Sequence, residues 1–463
     1  MEYAMRYRRA DAFAKTDAKS WHEIETTSLD AVRRIQEENL VAQMAYLKEN
    51  SPFYQDTLAK AGVDFDDIRS IEDLQNLPYT FKTDIRKSLA ASKPFGLHLA
   101  ADPRDVVQMQ ASSGTTGSPS YVALTEPDVE MWNEMSARCF FACGVRPADL
   151  VLHGFSLAKG FVGGIPVMQA LQYMGAVDVP IGADGGADRL LRACADTRPR
   201  CIIGAPNFVL HLGEKAEKIL GVKASELGVE RVIVGGEPGG GIPAIRNRIE
   251  ELWGAKCTEM LGGTDLGMAY WAECDEQDGM HMVSMDHIIT ELLDPDTGDI
   301  IPFEEGARGE MIYTAITRQA SPVLRFRSGD FIEVLGTSCT CGRTGPKIRC
   351  IGRTDDMLIV RGANVFPSAI HSIVNDMMPD TNGIMRVVAD FDGHTTQGAL
   401  KVIVERGIAR DPANDAALKS QLETRLRDAL VFKADITIVA ANTFEKPGAA
   451  KVALTLREFP DLP

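Results

Sequence analysis

Between residues 30 and 62 apolar side chains fall at Ala31, Ile35, Leu40, Ala42, Met44 and Leu47 among charged ones, and Pro52 interrupts the series. That spacing predicts a helix broken at the proline, a packing element. From about residue 104 to 350 the pattern changes. Short β-rich runs, Val151-Leu152, Cys201-Ile202-Ile203 and Arg231-Val232-Ile233-Val234, each lead into glycine or small residues, with helical stretches such as 188–196 and 243–253 between them. The alternation predicts an α/β domain on a largely parallel sheet, where ligands gather at the carboxyl ends of strands. Beyond Gly352 a strand at 357–360, a helix through 370–374, strands at 384–388 and 400–404, a helix near 412–430 and a strand at 436–439 read as a compact α+β unit. The boundary is placed at Gly352-Arg353, giving domains 1–352 and 353–463.

One loop stands out against this pattern. Ser112, Ser113, Gly114, Thr115, Thr116 and Gly117 set four hydroxyls and two glycines in six residues. Glycines let successive amides point into one concavity, and hydroxyls add donors around an anionic oxygen, so the loop suits phosphate. It is not a Walker A loop, because Ser118-Pro119 stands where that motif needs Lys followed by Ser or Thr. Taken alone it also reads as a turn-rich linker. Composition narrows the setting: 45% hydrophobic and 25% charged residues fit a globular chain, and a net charge of −16 argues against nucleic acid or an anionic membrane as partner. The basic start of the chain has no apolar run behind it, no segment approaches membrane-spanning length, and nine scattered cysteines suit a reducing compartment. These features predict a cytoplasmic protein.

Four further signals follow the loop. Val234-Gly235-Gly236-Glu237-Pro238 ends a predicted strand with two glycines, room for a flat ring against backbone. Met260-Leu261-Gly262-Gly263-Thr264-Asp265 adds a hydroxyl and a carboxylate suited to Mg2+ beside a triphosphate. Arg325-Phe326-Arg327-Ser328-Gly329-Asp330 places an acid after a glycine turn, fit to accept ribose hydroxyls, and Gly352-Arg353-Thr354-Asp355-Asp356 marks the domain junction. Each is weak alone; the series is specific.

In this order the motifs resemble the adenylate-forming superfamily of acyl-CoA synthetases, and within it the phenylacetate–CoA ligases. That branch's character shows in Asn50-Ser51-Pro52-Phe53-Tyr54, in Leu77-Pro78-Tyr79-Thr80-Phe81-Lys82, and in the run from Asp355 through Val360-Arg361-Gly362-Ala363-Asn364-Val365-Phe366-Pro367. The resemblance implies a large multi-sheet N-terminal domain and a small mobile α+β C-terminal domain. It implies an AMP-forming ligase in which a carboxylate attacks the α-phosphate of ATP and coenzyme A then displaces AMP. The loop 112–117 would hold the triphosphate, and Gly236, Glu237 and Pro238 with Glu259, Met260, Leu261 and Gly262 would frame adenine. Thr264 would touch the α-phosphate, Asp265 would bind Mg2+, Asp330 would clasp ribose beside Arg353, and the small domain would rotate about Asp355. The resembling enzymes are often homodimers.

The chain departs from the family's pattern in four places. Ser118 replaces a lysine that would face pyrophosphate, Leu261 replaces a tyrosine that stacks on adenine, and Thr264-Asp265 stands for Ser-Glu. The adenylation lysine normally follows a glycine near the end, but Glu445-Lys446-Pro447-Gly448-Ala449-Ala450-Lys451 has Ala449 there. Lys451, two residues on and on the same side of an extended segment, is the first candidate and Lys446 the second; both also read as solvated lysines.

The pocket for the acid is expected after the strand at Val151, in His153-Gly154-Phe155-Ser156-Leu157-Ala158-Lys159-Gly160-Phe161-Val162-Gly163-Gly164, with Gly236 and Tyr270. Tyr270-Trp271 would shrink it and Lys159 would add a polar group, favouring a small branched or hydroxylated acid, as in 2-hydroxyisobutyrate–CoA ligases, at least as strongly as phenylacetate. His153 and Lys159 also read as ordinary loop residues. Separately, Cys274 and His281 with Cys339 and Cys341 supply four ligands for a structural zinc, the favoured reading, though free thiols are often just small buried hydrophobes. Cys139, Cys143, Cys194, Cys201 and Cys257 read as core. Two other functions stay open: adenylation with an acceptor other than coenzyme A, and nucleotide binding without turnover.

Overall fold

A computed structural model of the chain describes residues 11–112, 120–158, 160–354, 356–361, 363–391, 393–430, 432–444 and 453–457. The opening helical pattern becomes α1 (Leu29–Asn50) and α2 (Pro52–Ala61). Leu40, Met44 and Leu47 recur at helical spacing and form the buried face of α1. Ser51 both ends α1 and starts α2. Its hydroxyl accepts the Tyr54 amide at 3.3 Å, and Pro52 takes the first helical position, where no amide hydrogen is needed.

After α3 (Lys82–Ala91), strands β1 (Val106–Ala111) and β2 (Tyr121–Thr125) pair antiparallel, with Ala111 opposite Tyr121. α4 (Glu126–Ala142) begins on a capping box of Thr125 and Asp128 and buries its second half. The main sheet then builds through β3 (Leu150–His153), α5 (Ile165–Tyr173), β4 (Val177–Val179), α6 (Gly186–Thr197), β5 (Cys201–Gly204), α7 (Pro206–Leu220), β6 (Arg231–Val234), α8 (Pro243–Trp253) and β7 (Lys256–Gly263). These five strands are parallel in the order β4-β3-β5-β6-β7. Both faces are covered: Cys201 and Ile203 pack with Phe140 and Trp271 on one side, while Ile202 and Val232 pack with Leu212 and Trp253 on the other. Burial on two faces is why these strands read as unbroken apolar runs.

The expectation of a largely parallel sheet to residue 350 holds only to β7. β8 (Gly267–Glu273), β9 (Met280–Met282), β10 (Ile288–Leu293), β11 (Ile300–Ile301), β12 (Arg308–Ala315), β13 (Phe326–Gly336) and β14 (Lys347–Arg353) join antiparallel. The turn from β7 to β8 spans only Thr264 to Leu266, far too short for a crossover helix, so the chain must reverse. Among the described residues the sheet has twelve strands in the order β11-β10-β12-β13-β14-β9-β8-β7-β6-β5-β3-β4.

The remaining elements are β15 (Leu358–Val360), β16 (Ala363–Val365), α9 (Pro367–Asp376), β17 (Thr381–Val388), β18 (Thr395–Thr396), β19 (Leu400–Arg406), α10 (Asp415–Leu430), β20 (Ala434–Val439) and β21 (Thr455–Leu456). β20-β19-β17-β21 form a sheet whose buried Val387, Val402 and Ile436 pack with Ile370 of α9 and Leu422 of α10. β14 ends at Arg353, and this second core begins at Leu358.

Candidate active site

The parallel strands deliver two glycine-rich loops side by side, 235–241 after β6 and 259–265 at the end of β7. Several of these glycines leave no room for a side chain. A Cβ on Gly262 would lie 1.8 Å from the Met268 carbonyl oxygen, one on Gly235 would lie 2.7 Å from that of Met260, and Gly236 has φ +82°. Glu259 is only 7% exposed and turns toward the first loop, accepting the Gly239 amide at 3.2 Å. It therefore shapes the loop beside the adenine position instead of lying open to a ligand. Burial first, then the neighbouring Glu273 carboxylate, push Glu259 up to about 7. Arg246 of α8 offsets part of that repulsion, holding both Glu273 oxygens at 2.6 and 2.7 Å and the Gly240 carbonyl at 2.5 Å. Glu237 accepts the Asn207 amide at 3.3 Å.

Ser112 and Ser120, at the two ends of the segment expected to hold phosphate, are bonded to each other. The Ser112 and Ser120 hydroxyls lie 2.8 Å apart, and the Ser112 amide donates to the Ser120 carbonyl at 2.9 Å. Ser112, expected to reach phosphate, is thus engaged with Ser120, a partner the sequence reading passed over. Ser113, Gly114, Thr115, Thr116 and Gly117 lie outside the described residues. Next to Ser112, the Ala111 amide donates to the Gly160 carbonyl at 2.8 Å, and Phe161 bridges to Ala111. The expected acid-pocket residues meet here: the Phe155 and Phe161 rings are 6.2 Å apart, a Cβ on Gly163 would strike Phe161, and Gly236 approaches Phe155. Lys159 lies outside the described residues.

Two expectations about the pocket change. Tyr270 is 1% exposed, its ring 5.3 Å from Tyr313 and its hydroxyl beneath Gly263, so it supports the floor and does not line the pocket. Trp271 is buried in the same core. The reason is β8 itself, whose residues are all buried, so neither of its faces is open. His153, which also read as a loop residue, ends β3 and is fully buried; its Nε2 lies 2.8 Å from the Gly163 carbonyl and its Nδ1 3.3 Å from Asp178. It holds the glycine turn at Gly163.

Asp330, the acid expected to meet ribose, also has a partner. Asp330 on β13 lies opposite Arg353 on β14, and its Oδ1 accepts from the Arg353 guanidinium at 3.0 Å. Asp265, expected as a bare Mg2+ ligand, carries the Lys82 ammonium at 2.7 and 2.5 Å from its two oxygens. A cation from α3 therefore neutralises this carboxylate next to Thr264.

The AMP-binding enzyme family model matches residues 12–315, and the AMP-binding enzyme C-terminal domain model matches 362–453. A phenylacetate-coenzyme A ligase of Thermus thermophilus is 34% identical over 438 residues, which cover 92% of this chain and 95% of that one. The chain belongs to the AMP-binding enzyme family, in its phenylacetate–CoA ligase-like branch. It is an AMP-forming acyl-CoA ligase that works through an acyl-adenylate. Its fold matches the crystal structure of 2-hydroxyisobutyryl-CoA ligase in the postadenylation state with a TM-score of 0.87 at 26% identity, covering 96% of this chain and 93% of that one. The same enzyme with 2-HIB-AMP and CoA in the thioesterification state gives 0.70 at 27% identity, covering 96% and 93%.

Lys82 was quoted in the sequence without a role, and the structure sets its ammonium on Asp265. Its partner lies 183 positions away, so no local signal joins them. Lys446, Lys451 and Asp355 lie outside the described residues. Cys274, His281, Cys339 and Cys341 do come together, with ligand atoms all within 4.8 Å of one another. The five cysteines read as core are buried. No helix among the described residues is long and apolar enough to cross a membrane.

Proposed function

We propose that the ligase activates an arylacetate such as phenylacetate. The observation that carries this reading is the pair of rings, Phe155 and Phe161, set beside two positions without side chains, Gly163 and Gly236. A slot walled by aromatic faces and glycine suits a flat acid. The withdrawal of Tyr270 and Trp271 into the core removes the side chains that would have shrunk the pocket. A small branched or hydroxylated acid is the second reading, favoured by the likeness of the fold to 2-hydroxyisobutyryl-CoA ligase. A panel of acids assayed for AMP release with ATP and coenzyme A tests it: phenylacetates should turn over best, and turnover of 2-hydroxyisobutyrate with none of phenylacetate reverses the assignment.

The first half-reaction forms a bond from a carboxylate oxygen to the α-phosphorus and breaks the α–β anhydride, whose electron pair leaves with pyrophosphate. The protein's task is to position the groups and spread charge. Thr264 meets the α-phosphate, the loop 112–117 holds the outer phosphates, and Asp330 with Arg353 takes the ribose. Mg2+ enters on ATP as part of the substrate. Asp265, already paired, serves first to aim Lys82 at the phosphates, and so Lys82 supplies the cation that Ser118 omits. Lys451 approaches the reacting oxygens, with Lys446 as the alternative. In the second half-reaction the coenzyme A sulfur, its proton released to solvent, bonds the acyl carbon while AMP leaves with the C–O electron pair. The small domain turns about Asp355 between the two. The proposal extends to a cytoplasmic homodimer with neither nucleic acid nor membrane as partner, which the charge of −16 supports. Zinc belongs to it as a structural element outside the chemistry.

A further inference from the structure

The nucleotide site draws on two halves of one sheet. Gly236 and Thr264 stand on the side of β5, β6 and β7, while Asp330 and Arg353 stand on β13 and β14. Between the halves the sheet runs through β14 and β9, and that pairing is brief: Lys347 faces His281, Ile348 faces Met280, and the Met282 amide reaches the Pro346 carbonyl at 3.1 Å. By contrast β13 and β14 stay paired along their length, from Asp330–Arg353 to Gly336–Lys347, through two shifts of register. The four-residue cluster sits on this short seam. Cys274 follows β8, His281 lies within β9, and Cys339 and Cys341 lie on the turn leading into β14.

Its dimensions fit one ion. Cys274 Sγ and Cys339 Sγ are 3.7 Å apart, and Cys341 Sγ is 3.6 Å from His281 Nε2. A tetrahedron with Zn–S near 2.3 Å and Zn–N near 2.05 Å has S–S edges of about 3.8 Å and S–N edges of about 3.6 Å. The imidazole is also oriented for a metal. His281 Nδ1 lies 3.3 Å from the Gly345 carbonyl, which, being an acceptor, fixes the proton on Nδ1 and leaves the Nε2 lone pair toward the sulfurs. Cys274 and His281 are buried and the other two half-buried, as in a closed structural site.

We infer that Cys274, His281, Cys339 and Cys341 bind one zinc ion that staples this seam, and so hold the strands bearing Asp330 and Arg353 in register with those bearing Gly236 and Thr264. Binding displaces three thiol protons to solvent and leaves a Cys3His site of net charge −1. Neighbouring contacts anchor the same turn from outside: Lys347 Nζ lies 2.5 Å from Asp278, Arg343 Nε lies 2.8 Å from Glu25, and the Thr344 amide donates to the Glu25 carbonyl at 2.9 Å. The inference rests on the nucleotide-site reading only for its consequence; the ion's presence stands by itself.

Metal analysis of protein purified without an affinity tag should give one zinc per chain, and Cys339→Ser with Cys341→Ser should lose it. Zinc well below one per chain, or a Cys274–Cys339 disulfide found by mass spectrometry, overturns the site. Because the double variant can fail to fold, the decisive measurement strips zinc from the wild type with a chelator and follows AMP binding by calorimetry. Stripping should weaken AMP binding by about tenfold, an ordinary coupling between sites, and added zinc should restore it. Stoichiometric zinc whose removal leaves AMP affinity unchanged refutes the staple. Absence of AMP binding in the zinc-loaded protein counts against the nucleotide-site reading instead.

Discussion

Glu259 should make the ligase less stable as pH rises, and Glu259→Gln should remove that dependence. In the unfolded chain this carboxyl ionises near 4.5; in the folded chain, buried beside Glu273, it does so at about 7. Between those values the folded chain holds a proton that the unfolded chain has released. Raising the pH therefore works against folding: the favourable contribution is whole below 4.5 and gone above about 7. The full shift corresponds to about 3 kcal/mol, of which about 2.5 kcal/mol falls between pH 5 and pH 8. For a cooperative unit of about 350 residues, with an unfolding entropy near 0.7 kcal/mol/K, that is about 3–4 °C in Tm. Gln keeps a carbonyl oxygen to accept the Gly239 amide and carries no charge at any pH. Scanning fluorimetry of both proteins at the two pH values isolates the residue, because every other titrating group is shared. Wild type should lose the 3–4 °C relative to the variant on going to pH 8. A Tm difference that is the same at both pH values would falsify the assignment of a buried, proton-holding Glu259.

Lys82→Ala should lower kcat/KM for ATP by about 10–100-fold, the worth of one charge-assisted contact, while AMP affinity stays near wild type because AMP lacks the outer phosphates. Equal losses for both nucleotides, measured by steady-state kinetics and calorimetry, would mean that Lys82 only keeps Asp265 in place. Lys451→Ala should cut acid-dependent AMP release by about 100-fold, as removal of one transition-state charge does, yet leave thioester formation from a supplied acyl-adenylate intact. Unchanged AMP release takes Lys451 out of the mechanism and turns attention to Lys446.

What could be read in the sequence was what is decided locally. Asn50-Ser51-Pro52 stops one helix and caps the next through neighbours in the chain, and Pro243 with Gly254 brackets α8 in the same way. The parallel strands were legible because burial on both faces leaves a continuous apolar run between helices. The antiparallel half was not, since β8 is buried along its whole length and shows none of the alternation that marks a half-exposed strand. At the site the same division holds. The cysteine and histidine ligands announce themselves by type. The contacts of His153 to Gly163 and Asp178, of Ser112 to Ser120, and of Lys82 to Asp265 depend on which strands become neighbours, and a single sequence does not carry that information. Tyr270 was misplaced for a related reason: its bulk was legible, but the face it takes was not.

The pairing of Asp330 with Arg353 bears on how the small domain can turn without disturbing bound nucleotide. β14 stays in the main sheet to its last residue, and the link does not stop there: the Thr354 amide donates to the Gly329 carbonyl at 2.7 Å. Any rotation that began before residue 355 would break these bonds and drag the ribose carboxylate with it. The proposed pivot at Asp355 would leave Asp330, its arginine and the glycine turn fixed to the large domain. What must break lies beyond: the stack of Phe366 on Phe331 at 5.0 Å, the Ser368 hydroxyl on the Ile351 carbonyl at 2.7 Å, and the Arg248 contact to the Met378 sulfur at 3.3 Å. Each of these contacts is of modest worth, so in the proposed reading a second arrangement can compete with this one once its own ligand is bound.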